Sequence, residues 1–311
     1  MRSMQYGIAI RNACVRKEPT MVPLRKDKGD VWDRRQESRL NIGEPVQLRR
    51  QDGGWLYVSS DSTEGYVKEE GISCCTKRYY EKYRETVNRE YQVVLKSGRY
   101  IDGQYFRVGT LLPVIEEAEK NRECRESDWE MQRVGVRKKD GGEWQTERPV
   151  LVRNFLPFTE RQMGLQMERM LGIPYSWGDE RLDGMDCSST VRAFFACFGL
   201  SLPRNSEEQR SCGEVLYAMN QANYEDLTGL SVDKKREIIA GMGIGTVLHM
   251  PGHVMIYAGE QEGELRIFHN CDTYRSNGEE HIVRKSVISG FFPKGEGTYL
   301  DYLTAAWKPN L

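Results

Sequence analysis

The spacing of apolar residues predicts an amphipathic helix directly behind Cys187. Four of them recur at i, i+3, i+4 and i+7, the spacing of one buried helical face, and Gly199 then supplies a stop signal. These four are Val191, Phe194, Phe195 and Phe198. Cys187 is therefore expected at or next to the N-terminus of a helix.

A second pattern, of β-branched and apolar residues separated by turn residues, predicts an antiparallel hairpin further along the chain. Its strands are residues 253–258 and 264–269, joined by a loop at 259–263. In that register His253 and His269 face each other, with Cβ atoms roughly 4.5–5.5 Å apart. A slip of one residue would place them on opposite faces of the sheet.

The first half of the chain contains short apolar or alternating runs divided by turn residues, which predicts small all-β barrels. Because 311 residues exceed the usual size of one domain, we expect two or three. The predicted domains are a barrel at 1–75, a linker and second barrel at 76–155, and a third domain at 156–311. The charged and aromatic run at 74–87 is predicted as the linker.

The third domain is predicted to be α+β, with helices packed on an antiparallel sheet. A methionine-rich run at 158–171 has helical spacing, and Ser206–Gln209 fits a capping box that opens another helix. Runs at 282–284 and 299–303 are predicted as strands that complete the sheet.

Cys187 is a candidate nucleophile, because free N–H groups and the helix dipole favour a thiolate at a helix N-terminus. The alternative is a small buried hydrophobic residue, against which the polar neighbours Asp186 and Ser188 argue. A thiol nucleophile needs a base, and His253 with His269 as its orienting partner fits the logic of a catalytic triad. Both histidines could instead be ordinary residues at strand ends.

Several separated motifs together resemble the NlpC-type (p60-like) cysteine peptidases of bacterial cell-wall metabolism. The resemblance covers the chain from about Phe158 onward. The motifs are Pro174-Tyr175-Ser176-Trp177-Gly178, Asp186-Cys187-Ser188, Leu202-Pro203-Arg204-Asn205-Ser206 with Gln209, His253-Val254 followed by Tyr257 and Gly259, and His269. The resemblance implies a papain-like α+β core that cleaves peptidoglycan stem peptides, typically between D-glutamate and a diamino acid.

The resemblance also implies roles for individual residues. Cys187 is the nucleophile, His253 the general base and His269 its polar partner, and Tyr175 lines the site near the oxyanion. A phenol O–H beside a backbone N–H suits that last position, although Tyr175 could also be a core aromatic residue. Asp186 and Ser188 match positions that bind the free ammonium of an N-terminal L-alanine, but Asp186 could instead cap the helix.

The sequence departs from the family pattern at two places. Asp179 stands where members commonly have glycine, which leaves the loop before the nucleophile less certain, and Ser189 replaces another glycine. Ser189 is familiar from members that carry SH3-like domains.

The region before residue 75 resembles a bacterial SH3-like domain, and a second such barrel is expected at 76–155. In related enzymes the first barrel is implied to wall off the substrate cleft, and Glu69 or Glu70 then offers another carboxylate to the substrate ammonium. Alternatively, these glutamates form a solvated barrel edge, or the barrels simply bind cell wall or protein. The resemblance to the barrel rests on Val15-Arg16, Gly43-Glu44, Gly54-Trp55, Val58 and Glu64-Gly65-Tyr66-Val67.

Composition narrows the function classes. The net charge of −1 offers no basic field for nucleic acid. The sequence has no stretch typical of a membrane span or a signal peptide. The eight cysteines lack zinc-like spacing, so we expect no metal and no cofactor. Free thiols favour the reducing cytoplasm, or the cell envelope if a leader has been removed. We also expect a monomer.

The sequence thus predicts a cysteine peptidase that hydrolyses muropeptides with a free N-terminal L-alanine at the γ-D-glutamyl–diamino acid bond, in cell-wall turnover or recycling. Two other classes stay open. A Cys-His amidase or acyltransferase could use the same thioester chemistry, and a non-catalytic wall-binding protein would need no activated thiol.

Overall fold

The computed structural model describes residues 5–89, 91–99, 103–116, 133–137, 139, 143–145, 152–153 and 155–311. Contacts divide the chain into two compact units. The first contains residues 1–156 together with 177–182, and the second contains 157–176 and 183–311. Among the described residues, no helix has the length and apolar character needed to cross a membrane.

The first unit begins with a seven-stranded antiparallel sheet, in the order β3-β2-β6-β5-β4-β1-β7. Its inward-facing residues alternate with exposed ones and form one apolar core, which includes Val15, Val46, Val58 and Val67. The prediction of an all-β amino-terminal region is confirmed. The strands are β1 (Tyr6–Ala9), β2 (Ala13–Arg16), β3 (Gln36–Leu40), β4 (Pro45–Asp52), β5 (Trp55–Ser59), β6 (Glu64–Lys68) and β7 (Ile72–Cys75).

The segment predicted as a linker is instead mostly a helix, α1 (Lys77–Arg89). Tyr80, Tyr83 and Val87 lie on one face of α1 and pack against Ile8 in a buried cluster. The Tyr83 hydroxyl also donates a hydrogen bond to the Gly43 carbonyl, at 2.9 Å. Through this apolar face the helix packs against the first sheet.

A five-stranded sheet follows, in the order β13-β12-β11-β8-β14, beside a two-stranded ribbon of β9 and β10. These strands fall in the range 76–155, where a second barrel is predicted. Residues 117–132 and 146–151 of that range lie outside the described residues. The strands are β8 (Tyr91–Val94), β9 (Gly98–Arg99), β10 (Tyr105–Phe106), β11 (Leu111–Glu116), β12 (Arg133–Arg137), β13 (Glu143–Gln145) and β14 (Val152–Arg153).

The short segment 177–182 belongs to the first unit through buried polar contacts. Asp179 forms a fully buried ion pair with Arg107 at 2.9 Å, and its carbonyl accepts from Nε of Arg39. Gly178 has φ +59°, and a Cβ there would lie 2.5 Å from the carbonyl oxygen of Gln36. Asp179, a departure from the family pattern, is therefore a structural anchor of this segment.

The second unit contains four helices and a six-stranded antiparallel sheet, in the order β15-β22-β16-β17-β18-β19, with a small ribbon of β20 and β21. This arrangement confirms the α+β prediction. The helices are α2 (Glu160–Arg169), α3 (Cys187–Ala196), α4 (Ser206–Ala218) and α5 (Val232–Met242). The strands are β15 (Ala222–Asp226), β16 (Val247–Met250), β17 (His253–Gln261), β18 (Glu264–Ser276), β19 (Glu279–Ser289), β20 (Pro293–Lys294), β21 (Gly297–Thr298) and β22 (Ala305–Pro309).

Helix α3 packs against the centre of this sheet through the face that its spacing predicts. Phe194 and Phe195 are fully buried, with ring centroids 6.3 Å from Phe268 and 6.0 Å from Trp307, respectively. Burial of each such ring contributes about 1.5–3 kcal/mol. The start of α3 is therefore held rigidly above the sheet.

One predicted strand is wrong. Residues 299–303 form turns rather than a strand, and the last strand of the sheet is β22. Leu300 and Leu303 are nevertheless buried in the core of the second unit. Their apolar character therefore reflects core packing and not a place in the sheet.

Candidate active site

Cys187 is the first residue of α3, as predicted, and its side chain is half-buried. The chain that leads to it is held in place by hydrogen bonds from Met185 N to the Pro174 carbonyl (2.9 Å) and from Ser176 N to the Met185 carbonyl (3.1 Å). Nδ2 of buried Asn270, on β18, donates to the Met185 carbonyl at 3.0 Å and to Thr190 Oγ1 of α3 at 3.3 Å. No sequence pattern predicts this role for Asn270.

The hairpin of β17 and β18 is longer than predicted. The predicted loop at 259–263 is wrong, because the strands continue to Gln261 and Glu264 and only two residues form the turn. These are Glu262 and Gly263, with φ of +55° and +76°, and a two-residue turn with both φ positive matches the twist of a hairpin.

A β-bulge at Ala258 changes the register in the middle of this hairpin. Gly259 pairs with Arg266 on the turn side, and Ile256 pairs with Phe268 on the other side. Ala258 is the extra residue, and without it Ile256 would stand opposite the residue after Phe268. A bulge of this kind re-aims the side chains that follow it.

The bulge puts His253 and His269 on the same face. Without it His269 would pair with Ile256, and His253, three residues away, would point to the opposite face. With it the two histidines are diagonal neighbours, and His253 Nε2 lies 2.9 Å from His269 Nδ1. The predicted contact between the two rings is therefore present, through a different register.

The thiol of Cys187 lies near the start of β17, where His253 stands. The backbone of Val254, the residue after His253, lies close enough to the Cys187 thiol to lower its pKa, against the larger effect of burial. Because Nε2 of His253 is bonded to His269, Nδ1 is the ring nitrogen left for the thiol. The roles of nucleophile and base stay predictions.

Burial favours the neutral forms of the thiol and the imidazole. It raises the pKa of Cys187 to about 12, with the neighbouring Asp186 carboxylate as the second cause. Burial, together with Lys294, lowers the pKa of His253 to about 4. Desolvation thus favours the neutral thiol over the thiolate that is expected at the helix N-terminus.

Asp186 caps α3 and is bonded to a buried arginine. Its Oδ1 accepts from Ser189 N (3.0 Å) and Ser188 Oγ (3.1 Å). The guanidinium of Arg204 contacts both carboxylate oxygens and also donates to Ser188 Oγ at 2.8 Å. The helix-capping alternative is thus present, and a substrate ammonium at Asp186 would have to share the carboxylate with Arg204.

Replacing Arg204 by methionine is expected to destabilise the second unit by about 3–5 kcal/mol, because it leaves the Asp186 carboxylate buried without its cation. An Arg236→Met variant is the control, since the ion pair of Arg236 with Glu264 is exposed and contributes less than about 1 kcal/mol. Urea unfolding of both variants measures the difference. Equal losses would contradict a buried pair, and adding Asp186→Asn to Arg204→Met should recover part of the stability.

Tyr175 lies next to the nucleophile. Its backbone N–H bonds the Arg284 carbonyl at 2.9 Å, and it forms a β-bridge with Met185, two residues before Cys187. Burial raises the pKa of Tyr175, and the neighbouring Cys187 and Asp186 add to the effect. The phenol therefore stays protonated and can donate a hydrogen bond.

The remaining candidate residues, Glu69 and Glu70, belong to the first unit. Glu69 and Glu70 are in a short 3₁₀ turn of the first unit, where Glu70 pairs with exposed Arg11 at 3.3 Å and Glu69 accepts from Gln51. Their predicted substrate role stays a prediction. In the described ranges no cluster of His, Cys, Asp and Glu residues is arranged to hold a metal ion.

The model of the NlpC/P60 family matches residues 172–276, which span the nucleophile loop, α3 and the histidine pair. These residues form an NlpC/P60 domain. Members of the family are cysteine peptidases. A search of curated proteins found no match.

Solved structures support the same fold. An NlpC/P60 endopeptidase from Photobacterium damselae subsp. piscicida is 18% identical with a TM-score of 0.70, and the match covers 93% of this chain but 66% of that protein. An NlpC/P60 family protein from Bacillus cereus is 15% identical with a TM-score of 0.61, covering 97% of this chain and 98% of that protein. At these identities the likeness shows the fold alone.

Proposed function

We propose that this protein is a cysteine peptidase that hydrolyses peptidoglycan stem peptides. The observation that supports the proposal is the contact between two histidines beside the helix that Cys187 begins, within the match to the NlpC/P60 family. His253 is bonded through Nε2 to His269, and the backbone of Val254, the next residue, lies close enough to the Cys187 thiol to lower its pKa. Nucleophile, base and orienting group are the parts that covalent peptide hydrolysis needs.

In the first half of the reaction, the Cys187 sulfur attacks the peptide carbonyl carbon while its proton passes to Nδ1 of His253. The backbone N–H at Cys187 and the phenol of Tyr175 then offer hydrogen bonds to the oxyanion. His253 gives the proton to the leaving amine as the C–N bond breaks, and a thioester remains. The neutral resting pair suits this sequence, because no charge has to be buried before substrate arrives.

In the second half, water attacks the thioester and gives a proton to His253. The carbon–sulfur bond breaks, the acid product leaves, and the proton returns to the Cys187 sulfur. His269 keeps the ring of His253 oriented in both halves, because it holds Nε2 throughout.

The proposed scissile bond joins γ-D-glutamate to a diamino acid in a muropeptide with a free N-terminal L-alanine. The resemblance of the motifs supports this specificity, and the position of Asp186 and Ser188 directly beside the nucleophile agrees with it. Arg204 already forms an ion pair with Asp186. The substrate ammonium is therefore proposed to bind the Asp186 carboxylate together with Arg204 and not in its place.

A digest of the tripeptide L-Ala-γ-D-Glu-diamino acid, followed by mass spectrometry, tests the proposal. We expect a dipeptide and the free diamino acid, and at least about tenfold slower cleavage of the N-acetylated tripeptide, because acetylation removes a charge-assisted hydrogen bond. Equal turnover of the two substrates would refute the ammonium site, and no cleavage of either would refute the peptidase. An added amine that appears in the product would indicate an acyltransferase.

A further inference from the structure

A chain of hydrogen bonds continues past the two histidines to the end of β19. His269 Nε2 lies 3.1 Å from Ser289 Oγ, and Ser289 Oγ lies 2.7 Å from the Gly290 carbonyl oxygen. In the sheet His269 pairs with Val287, and Ser289 stands two residues further along, on the same face. The contact is therefore the diagonal one that a sheet of this register provides.

The donors and acceptors in this row of hydrogen bonds determine which atom carries the proton in each bond. A carbonyl oxygen can only accept, so the single hydroxyl proton of Ser289 goes to Gly290 and its lone pairs face His269. His269 must then carry its proton on Nε2 and present a bare Nδ1. The bare Nδ1 accepts from Nε2–H of His253, which leaves Nδ1 of His253 without a proton.

The opposite direction would disable the base. If His269 carried its proton on Nδ1, His253 would have to accept it at Nε2 and hold its own proton on Nδ1. A protonated Nδ1 cannot take the proton of the Cys187 thiol. Two neutral rings have one proton each to place, and burial favours the neutral form by lowering the pKa of both His253 and His269.

We propose that Ser289 is a positioning residue that, together with the Gly290 carbonyl, fixes the tautomers of His269 and His253 so that His253 offers an unprotonated Nδ1 to Cys187. The proposal rests on the proposed function. Ser289 lies outside residues 172–276, the range that the family model matches.

The matched pair Ser289→Thr and Ser289→Val tests the proposal, because the two side chains have nearly the same shape and only threonine keeps the hydroxyl. On the tripeptide we expect kcat of Ser289→Val to fall about tenfold with KM unchanged, since one orienting hydrogen bond is lost. Ser289→Thr should stay within about twofold of the wild type. Equal rates for the two variants would overturn the proposal.

Nitrogen NMR of the histidine rings gives a readout that does not depend on activity. In the wild type we expect His253 to carry its proton on Nε2, and in Ser289→Val to show a mixture of tautomers. An unchanged tautomer in Ser289→Val would overturn the proposal even if the rate falls. If the wild type cleaves no peptide, the proposed function fails, while this measurement still decides the role of Ser289.

A His269→Asn background separates positioning from a structural effect. The Asn Oδ1 stands where Nδ1 of histidine stood, and it can only accept, so the direction no longer depends on Ser289. We expect Ser289→Val to lower kcat about tenfold in the wild type and by less than about twofold in His269→Asn. The same loss in both backgrounds would indicate that Ser289 acts through packing alone.

Discussion

The Cys187→Ala variant is expected to lose at least about 10⁴-fold in kcat for the tripeptide, because the proposed thioester forms on the Cys187 sulfur and alanine has no nucleophilic atom. The fold should persist, since the side chain is half-buried and alanine is a good residue for the first turn of a helix. Circular dichroism and the melting temperature measure the fold, and mass spectrometry of the digest measures the reaction.

The matched control for this variant is Cys212→Ala. Cys212 is also a half-buried cysteine in a helix, α4, and its replacement should leave the rate within about twofold of the wild type. Wild-type activity in Cys187→Ala, or equal losses in the two variants, would rule out Cys187 as the nucleophile.

His253→Gln is expected to lower kcat/KM by about 10²–10⁴-fold, the range that a general base contributes. Glutamine keeps a polar side chain but cannot take the thiol proton. His281→Gln is the control, because His281 is half-buried on β19 and reaches His269 only indirectly, through the stacked rings of Tyr274 and Phe292. A similar loss in both variants would contradict a specific role for His253.

The pH profile of the wild type should reflect the same residue. Because burial lowers the pKa of His253 to about 4, the unprotonated base persists down to that pH, and kcat/KM is expected to fall only below it. The acid limb should disappear from the residual activity of His253→Gln. An acid limb near pH 6.5 in the folded wild type would contradict the buried, neutral imidazole.

Unfolding must be followed at the same pH values. Burial lowers the pKa of His249 to about 3 and that of His253 to about 4, so the unfolded chain binds more protons than the folded one below about pH 6.5. Stability from these groups is therefore complete above pH 6.5 and declines as the pH falls. Melting curves between pH 7 and pH 4 separate this loss from loss of the base.

The elements that carry strong local patterns could be predicted from the sequence. The i, i+3, i+4, i+7 face behind Cys187 predicts α3, and alternation predicts the first sheet. Helix α1 was missed, although Tyr80, Tyr83 and Val87 have helical spacing, because the charged residues between them suggested a solvated linker. The run at 299–303 was predicted as a strand because it is apolar. Apolar residues are equally typical of a turn that is buried in the core, which is what the structure has there.

Only the site residues that belong to recognisable motifs could be predicted from the sequence. Cys187, His253 and His269 are recognisable by type and order, but the bulge at Ala258 that aligns the histidines was not predicted. Its signal, the glycine at 259 with φ +107°, was assigned to the loop of the hairpin. Arg204 belongs to one of the motifs, but no role was predicted for it. Its ion-pair partner Asp186 lies 18 residues earlier, so the sequence does not show that the two meet. Ser289 and Asn270 are ordinary strand residues until the fold brings them to the site.

The bulge at Ala258 makes the active site far more sensitive to a change in chain length than to a change in side chain. A residue inserted or deleted between His253 and Ala258 would turn the imidazole of His253 to the far side of the sheet, while lengthening the tip at Glu262-Gly263 would leave its direction unchanged. Peptide tags and reporter loops are thus better placed at the tip of this hairpin than anywhere along its first strand.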